Sequence, residues 1–268
     1  MTDLHKIIND GEKKFIEKIK ELQEYLNDNS EIVINKELFA LTLLDRAPIN
    51  GDFINKEGGK IVYTILHHCI KHDSATSKKK EKLSFQDVMK ILDETVNKFI
   101  TPQYFYKLIN FQDQSSKNTL LHQAVISNNT EAIEALLKYG ASPLIKNKEE
   151  KIPLDLDQEE KTREALIKSM KDQAQSKKES ARCNGLIGII PGVFLGIGLG
   201  VGSALVPSMT IILCTLAVSA LVAGIAVGVA IYFLSQDYKQ AKSIEEAVNP
   251  QLSSVKYEKT EDNKAVLG

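Results

Sequence analysis

From Cys183 to Gln236 the chain runs for 54 residues without an aspartate, glutamate, lysine or arginine. About 20 apolar residues already span the hydrocarbon core of a bilayer. The stretch is therefore long enough for two crossings, and Val206-Pro207-Ser208-Met209 is where it divides. Proline cannot continue the hydrogen bonding of the helix before it. The halves 185–206 and 209–234 reach about 33 and 39 Å as helices. They are read as a transmembrane helical hairpin in contact with the lipid bilayer. A buried hairpin in a soluble protein would need a large apolar surround, which residues 1–182 spend on their own packing.

Small residues recur every four positions on both halves: Gly188, Gly192, Gly196 and Gly200 on the first, Ala220, Gly224 and Gly228 on the second. This spacing leaves a flat stripe on which membrane helices pack closely. It serves pairing of the two spans, and it could also serve a homo-oligomer. No charged side chain lies inside to line an ion path, which argues against a channel or transporter. Lys168, Lys171, Lys177, Lys178 and Arg182 precede the hairpin, Lys239 and Lys242 follow it, and the connecting loop has no cation. The excess of cations on one side predicts a two-span membrane protein with both termini cytoplasmic.

The rest of the chain is polar and electrically balanced. Residues 1–182 hold 29 Lys+Arg against 29 Asp+Glu, so no basic excess exists to neutralise phosphates, and nucleic acid is excluded as a partner. Cys69, Cys183 and Cys214 have no CxxC spacing, which excludes a disulfide framework or zinc knuckle and fits a reducing compartment.

Residues 1–30 have no signal-peptide apolar core. Phe15, Ile19, Leu22 and Leu26 instead form one stripe of an amphipathic helix, expected to pack on its own domain. Leu38–Leu44 is a short apolar segment, 51–60 a loop with Gly51, Gly58 and Gly59, Ile61–Lys71 a helix, and Ser74–Lys82 a polar insert. Phe85, Val88, Ile91, Leu92 and Val96 share a face of a helix over Phe85–Phe99. Thr101-Pro102 starts a short helix ending at Ile109: a hydroxyl cap, then proline where its missing N–H costs nothing. Glu159–Arg182 is a charged connecting helix. Residues 237–268 form a polar cytoplasmic tail, partly disordered near its end.

A repeat lies in the middle. Thr119-Leu120-Leu121-His122 has an echo at Thr64-Ile65-Leu66-His67 and a weaker one at Ile152-Pro153-Leu154-Asp155, 33 residues after Thr119. Thr119 can cap a helix and His122 can bond back across the turn. Asn128 stands where the chain reverses in a left-handed conformation, and Gly140 where a second helix stops. With Asn110, Asp113, Ala124, Glu131, Ile133, Leu136, Leu137 and Ala141 on the same pattern, this unit resembles the ankyrin repeat. The resemblance extends over roughly 35–170, with degenerate units on either side of the central one. It implies an all-α fold: a short degenerate ankyrin-repeat solenoid at 31–158 plus the two-helix membrane hairpin. It also implies a protein partner, bound through turn tips and first helices, with Gln114, Ser116, Asn118, Gln123 and Ser127 as the candidate face.

His68 and His72 lie four apart on a helix, but no further ligand of metal-site spacing accompanies His67, His68 and His72. Gly196-x-Gly198-x-Gly200-x-Gly202 lacks the strand, lysine and acidic residue of a nucleotide loop. No Ser/His/Asp or Cys/His set has a recognisable context. The expectation is a protein that is not an enzyme, with no cofactor and no metal. The 31 lysines against 3 arginines, with a eukaryotic-type repeat, resemble ankyrin proteins of intracellular bacteria that meet host proteins. The expected function is a membrane-anchored protein-binding scaffold. The alternative is a membrane-active hairpin that oligomerises to perforate or remodel bilayers under control of the repeats.

Overall fold

The computed structural model describes residues 3–10, 13–29, 32–44, 56–72, 75–76, 81–99, 102–156, 159–205 and 210–249. Thr101, Pro207 and the tail beyond 249 lie outside the described residues, and with them the expected Thr101 cap, the hairpin turn and the disorder of the tail. The chain is mostly helical and divides into two compact bodies, residues 1–169 and 170–268.

In the first body the elements run α1 (Asp3–Asn9), α2 (Phe15–Asp28), β1 (Ile32–Val33), α3 (Lys36–Leu44), α4 (Lys56–His72), β2 (Ala75–Thr76), β3 (Lys82–Leu83), α5 (Phe85–Phe99), α6 (Pro102–Ile109), α7 (Leu120–Ile126) and α8 (Thr130–Lys138). A 3-10 turn at Pro153–Asp155 follows, and then the start of α9 (Glu160–Leu205). The core sits around α4. Its Ile61, Val62, Tyr63, Ile65, Leu66, Cys69 and Ile70 are all buried. A helix apolar on nearly every face must be surrounded, and α4 packs against α2, α3, α6 and α7. Ile19, Leu22 and Leu26 of α2 are buried, so the N-terminal stripe is covered by its own body. On α5, Phe85, Val88, Met89, Leu92 and Val96 face inward, and α5 packs on α3, α6 and α8.

Two local expectations need correction. Residues 56–60, expected as part of a loop, are the first turns of α4, and Gly58-Gly59 lie inside it. Glycine costs about 1 kcal/mol in a helix, and the buried run from Ile61 onward offsets that. The Ser74–Lys82 insert carries two of three short strands in an otherwise helical body. Ile32 pairs with Ala75 and Val33 with Thr76 in parallel, while Ala75 pairs with Leu83 and Thr76 with Lys82 antiparallel. Strands of two residues are too short to display a period of two.

In the second body α9 continues without a break past the junction expected at 182–185, and α10 (Thr210–Leu234) and α11 (Gln236–Val248) follow. Ala174 and Ala181 on α9 and Ala241 and Ile244 on α11 are buried. Lys178 Nζ donates to Glu245 Oε1 at 2.5 Å, Lys177 Nζ to Gln240 Oε1 at 2.7 Å, and Ser180 Oγ to Asp237 Oδ2 at 3.0 Å. The start of the expected polar tail is thus a helix fastened along α9.

Candidate functional site

The unit around Thr119 is built by local chemistry. Thr119 has extended backbone (φ −85, ψ 172) and caps α7, accepting from the His122 N–H at 3.4 Å. The Thr119 N–H donates to His122 Nδ1 at 3.2 Å. Nδ1 is therefore the acceptor nitrogen, the proton is on Nε2, and Nε2 donates to the Lys151 carbonyl at 3.1 Å. Burial lowers the His122 pKa and keeps the ring neutral, although the Lys151 carbonyl pulls the other way. One imidazole thereby joins the start of α7 to the next turn.

That next turn repeats the pattern. The Ile152 N–H donates to Asp155 Oδ2 at 3.1 Å, so Asp155 does for the last unit what His122 does for the central one. Lys117 (φ 54) and Glu150 (φ 60) are left-handed and stand 33 residues apart. Asn128 (φ 51) and Gly140 (φ 91) are the other two left-handed positions of this segment. Nothing lies within 4 Å of a Cβ built at Gly140, so backbone conformation and not space calls for glycine there.

The first echo behaves differently. Thr64 lies inside α4 and donates to the Lys60 carbonyl at 2.8 Å, so it caps nothing. The Thr64–His67 likeness to Thr119–His122 is one of residue type only. His67 is half-buried and His68 buried on α4, with Leu26 and Asn27 of α2 nearby. Burial, then Lys71, lowers the pKa of His67; burial, then His72, His67 and Lys71, lowers His68 to about 4. Among the described residues no three His, Cys, Asp or Glu come together as a metal site.

Asp113 organises the turn before α7. Burial pushes its carboxyl up, but hydrogen bonds from Lys60, Ser115 and Ser116 outweigh this and hold it well below the usual carboxylate range. Lys60 and Asp113 are 17% and 15% exposed, and their pairing links α4 to the turn. Sequence spacing does not reveal this pair.

The candidate face divides in two. Gln114 is exposed at the tip. Ser116 and Asn118 are half-buried and already engaged: the Ser116 carbonyl accepts from the Lys148 N–H at 2.9 Å, and Asn118 Oδ1 accepts from Asn147 Nδ2 at 3.0 Å. They stitch successive turns. Gln123 and Ser127 are half-buried along α7, Gln123 beside the Tyr63 hydroxyl, which burial pushes up to about 12. Ile126, between them on the same helix, is 51% exposed. It was missed because an isolated isoleucine in a helix reads as core.

The helices of the second body are a different surface. Thr215–Leu234 is, among the described residues, the one helix long and apolar enough to cross a membrane, with mean hydropathy 2.3. Val218, Val222, Ile225, Val227, Val229 and Phe233 are exposed on it. The expected first span lies mostly within α9, where Leu186, Ile187, Ile190, Phe194 and Ile197 are exposed. Gly224 and Gly228 are buried and Ala220 is half-buried. A Cβ at Gly228 would run into the Ile189 side chain and come within 2.7 Å of the Gly185 carbonyl. Gly185, which the four-residue spacing omits, is therefore the glycine that meets Gly228. Gly188, Gly192, Gly196 and Gly200 lie in the backbone of α9, their surroundings outside the described side chains.

Residues 116–148 match the ankyrin repeat family. The matched segment runs from Ser116 at the turn tip, through the Thr119 cap, α7 and α8, to the following turn, so an ankyrin repeat is present there. No curated protein matches the chain. No solved structure matches it.

Proposed function

We propose that this protein is a membrane-anchored protein-binding module, with the ankyrin repeat as its binding element and the 185–234 hairpin as its anchor. Ankyrin repeats generally mediate protein–protein binding. The observation that carries the anchor is the exposed apolar side chains over the whole length of Thr215–Leu234. Apolar area of this extent in water costs about 25 cal/mol per Å², and a bilayer removes that cost. The cations before Cys183 and after Gln236 support a two-span topology with both termini in the cytoplasm. Gln114, Gln123, Ile126 and Ser127 are the contact residues of choice. The lysine bias supports a bacterial source and a host protein as partner.

The test is cysteine accessibility in native membranes, in a chain whose own cysteines are replaced. A cysteine at Ser208 should be labelled only from the far side, and one at Ser243 only from the cytoplasmic side. Labelling of both from one side would overturn the two-span anchor. Release of the chain by alkaline wash would overturn membrane insertion altogether. Dye leakage from liposomes caused by the full chain would transfer the function to the hairpin itself.

A further inference from the structure

Where α9 and α10 approach at Gly185 and Gly228, a groove of about 380 Å³ opens beside the contact. Its walls are apolar: Leu186 and Ile189 from α9, Val229 and Phe233 from α10. Arg182 lines one part of it. Arg182 is exposed and makes no ion pair among the described residues. Its neighbours on α9 are compensated, Lys177 by Asp237 at 3.9 Å and Lys178 by Glu245 at 2.5 Å. Ser180 also bonds to Asp237, so the first acid of α11 is already taken up. An uncompensated guanidinium therefore adjoins an apolar groove.

Depth along the helices is marked by rings. Tyr232, Phe233 and Tyr238 pack mutually, with centroids 5.0, 4.8 and 5.0 Å apart. Tyrosine rings such as Tyr232 and Tyr238 settle at the headgroup level of a bilayer. Tyr232 and Phe233 line the same groove as Arg182. The charge is thus at the height of lipid phosphates and the apolar walls are at the height of the chains. Guanidinium is the side chain best matched to a phosphate's paired oxygens.

We propose that this groove is a binding site for one anionic phospholipid, with the phosphodiester on Arg182 and an acyl chain against Leu186, Ile189, Val229 and Phe233. The proposal rests on the membrane-anchor reading, and its test separates the two. The chain contains no tryptophan, so Phe233→Trp places a single reporter in the groove. The full-length variant is reconstituted in vesicles with equal fractions of brominated lipid, either phosphatidylglycerol or phosphatidylcholine. Brominated phosphatidylglycerol should quench with about fivefold higher relative affinity, the effect expected of one cation near an anionic surface. Arg182→Gln should bring the ratio to about one, and Arg182→Lys should restore part of it. Equal quenching by both lipids would overturn the lipid site and leave the anchor intact. No quenching by either would overturn the anchor and the site with it. A preference that survives Arg182→Gln, or that inorganic phosphate abolishes, would overturn the assignment of Arg182 to a bound lipid.

Discussion

Lys60 Nζ donates to the Asp113 carboxylate across 53 residues of sequence, and both side chains are more than four-fifths buried. Removing one partner of such a pair leaves the other charge uncompensated, at a cost of about 3 kcal/mol. Lys60→Met should therefore speed hydrogen exchange in α7 and α8 of the full chain. Exchange unchanged from wild type would show the pair to be dispensable. Asp113 also titrates. Its folded pKa is depressed, so its stabilisation is complete above the ordinary carboxylate value of about 4 and is lost as pH falls below it. Asp113→Asn should flatten that acid limb.

His122 gives the second pH dependence. Its folded pKa is lowered by burial, so the unfolded chain takes up its proton first as pH falls. The stabilisation from neutral His122 is full above about 6.5 and declines below it. Protonation would also set a second donor against the Thr119 N–H. His67 and His68 shift in the same direction, so His122→Asn should remove one proton's share of the slope. It should also cost about 1 kcal/mol at neutral pH by losing the Lys151 bond. A pH profile identical to wild type would refute the lowered pKa of His122.

Asn128 tests the repeat's turn. Asn128→Gly should change stability by less than about 0.5 kcal/mol, whereas Asn128→Val should cost roughly 1–2 kcal/mol, because a β-branched residue resists positive φ. Equal effects of the two would mean that the left-handed backbone is not the constraint.

These positions were legible because each is a local demand with a short menu of residue types. A helix start asks for a hydroxyl at 119, a chain reversal for asparagine or glycine at 128, a helix stop for glycine at 140. What escaped was set by distant partners. Nothing near Lys60 announces Asp113. The paired strands at 32–33 and 75–76 depend on chain segments more than 40 residues apart. The echo at Thr64 misled because the tetrapeptide matched while the turn that gives it meaning was absent. On α11 only Ala241 and Ile244 are buried, too few to register as a stripe. Gly185 lies three residues before Gly188, outside the four-residue spacing, so periodicity alone does not mark it.

The contact between Gly185 and Gly228 supplies a further expectation. Gly228→Leu should keep α10 apolar but drive α9 and α10 apart. Cysteines at Ser180 and Asp237, whose native side chains touch, should then cross-link less efficiently. Undiminished cross-linking would mean that the close approach carries no packing role.

The turn tips at Lys117 and Glu150 are held from several directions. The Lys117 N–H donates to the Asp113 carbonyl at 2.8 Å, Gln112 Nε2 reaches the Lys117 and Lys146 carbonyls at 2.8 and 2.9 Å, and Asn147 Oδ1 accepts from Glu149 and Lys151. Freezing a loose backbone costs roughly 1–2 kcal/mol per residue. Here that loss has occurred during folding, before any partner arrives. Association at these tips should therefore be rigid-body in character, with little ordering entropy to overcome and with affinity governed by the fit of side chains to an already set surface.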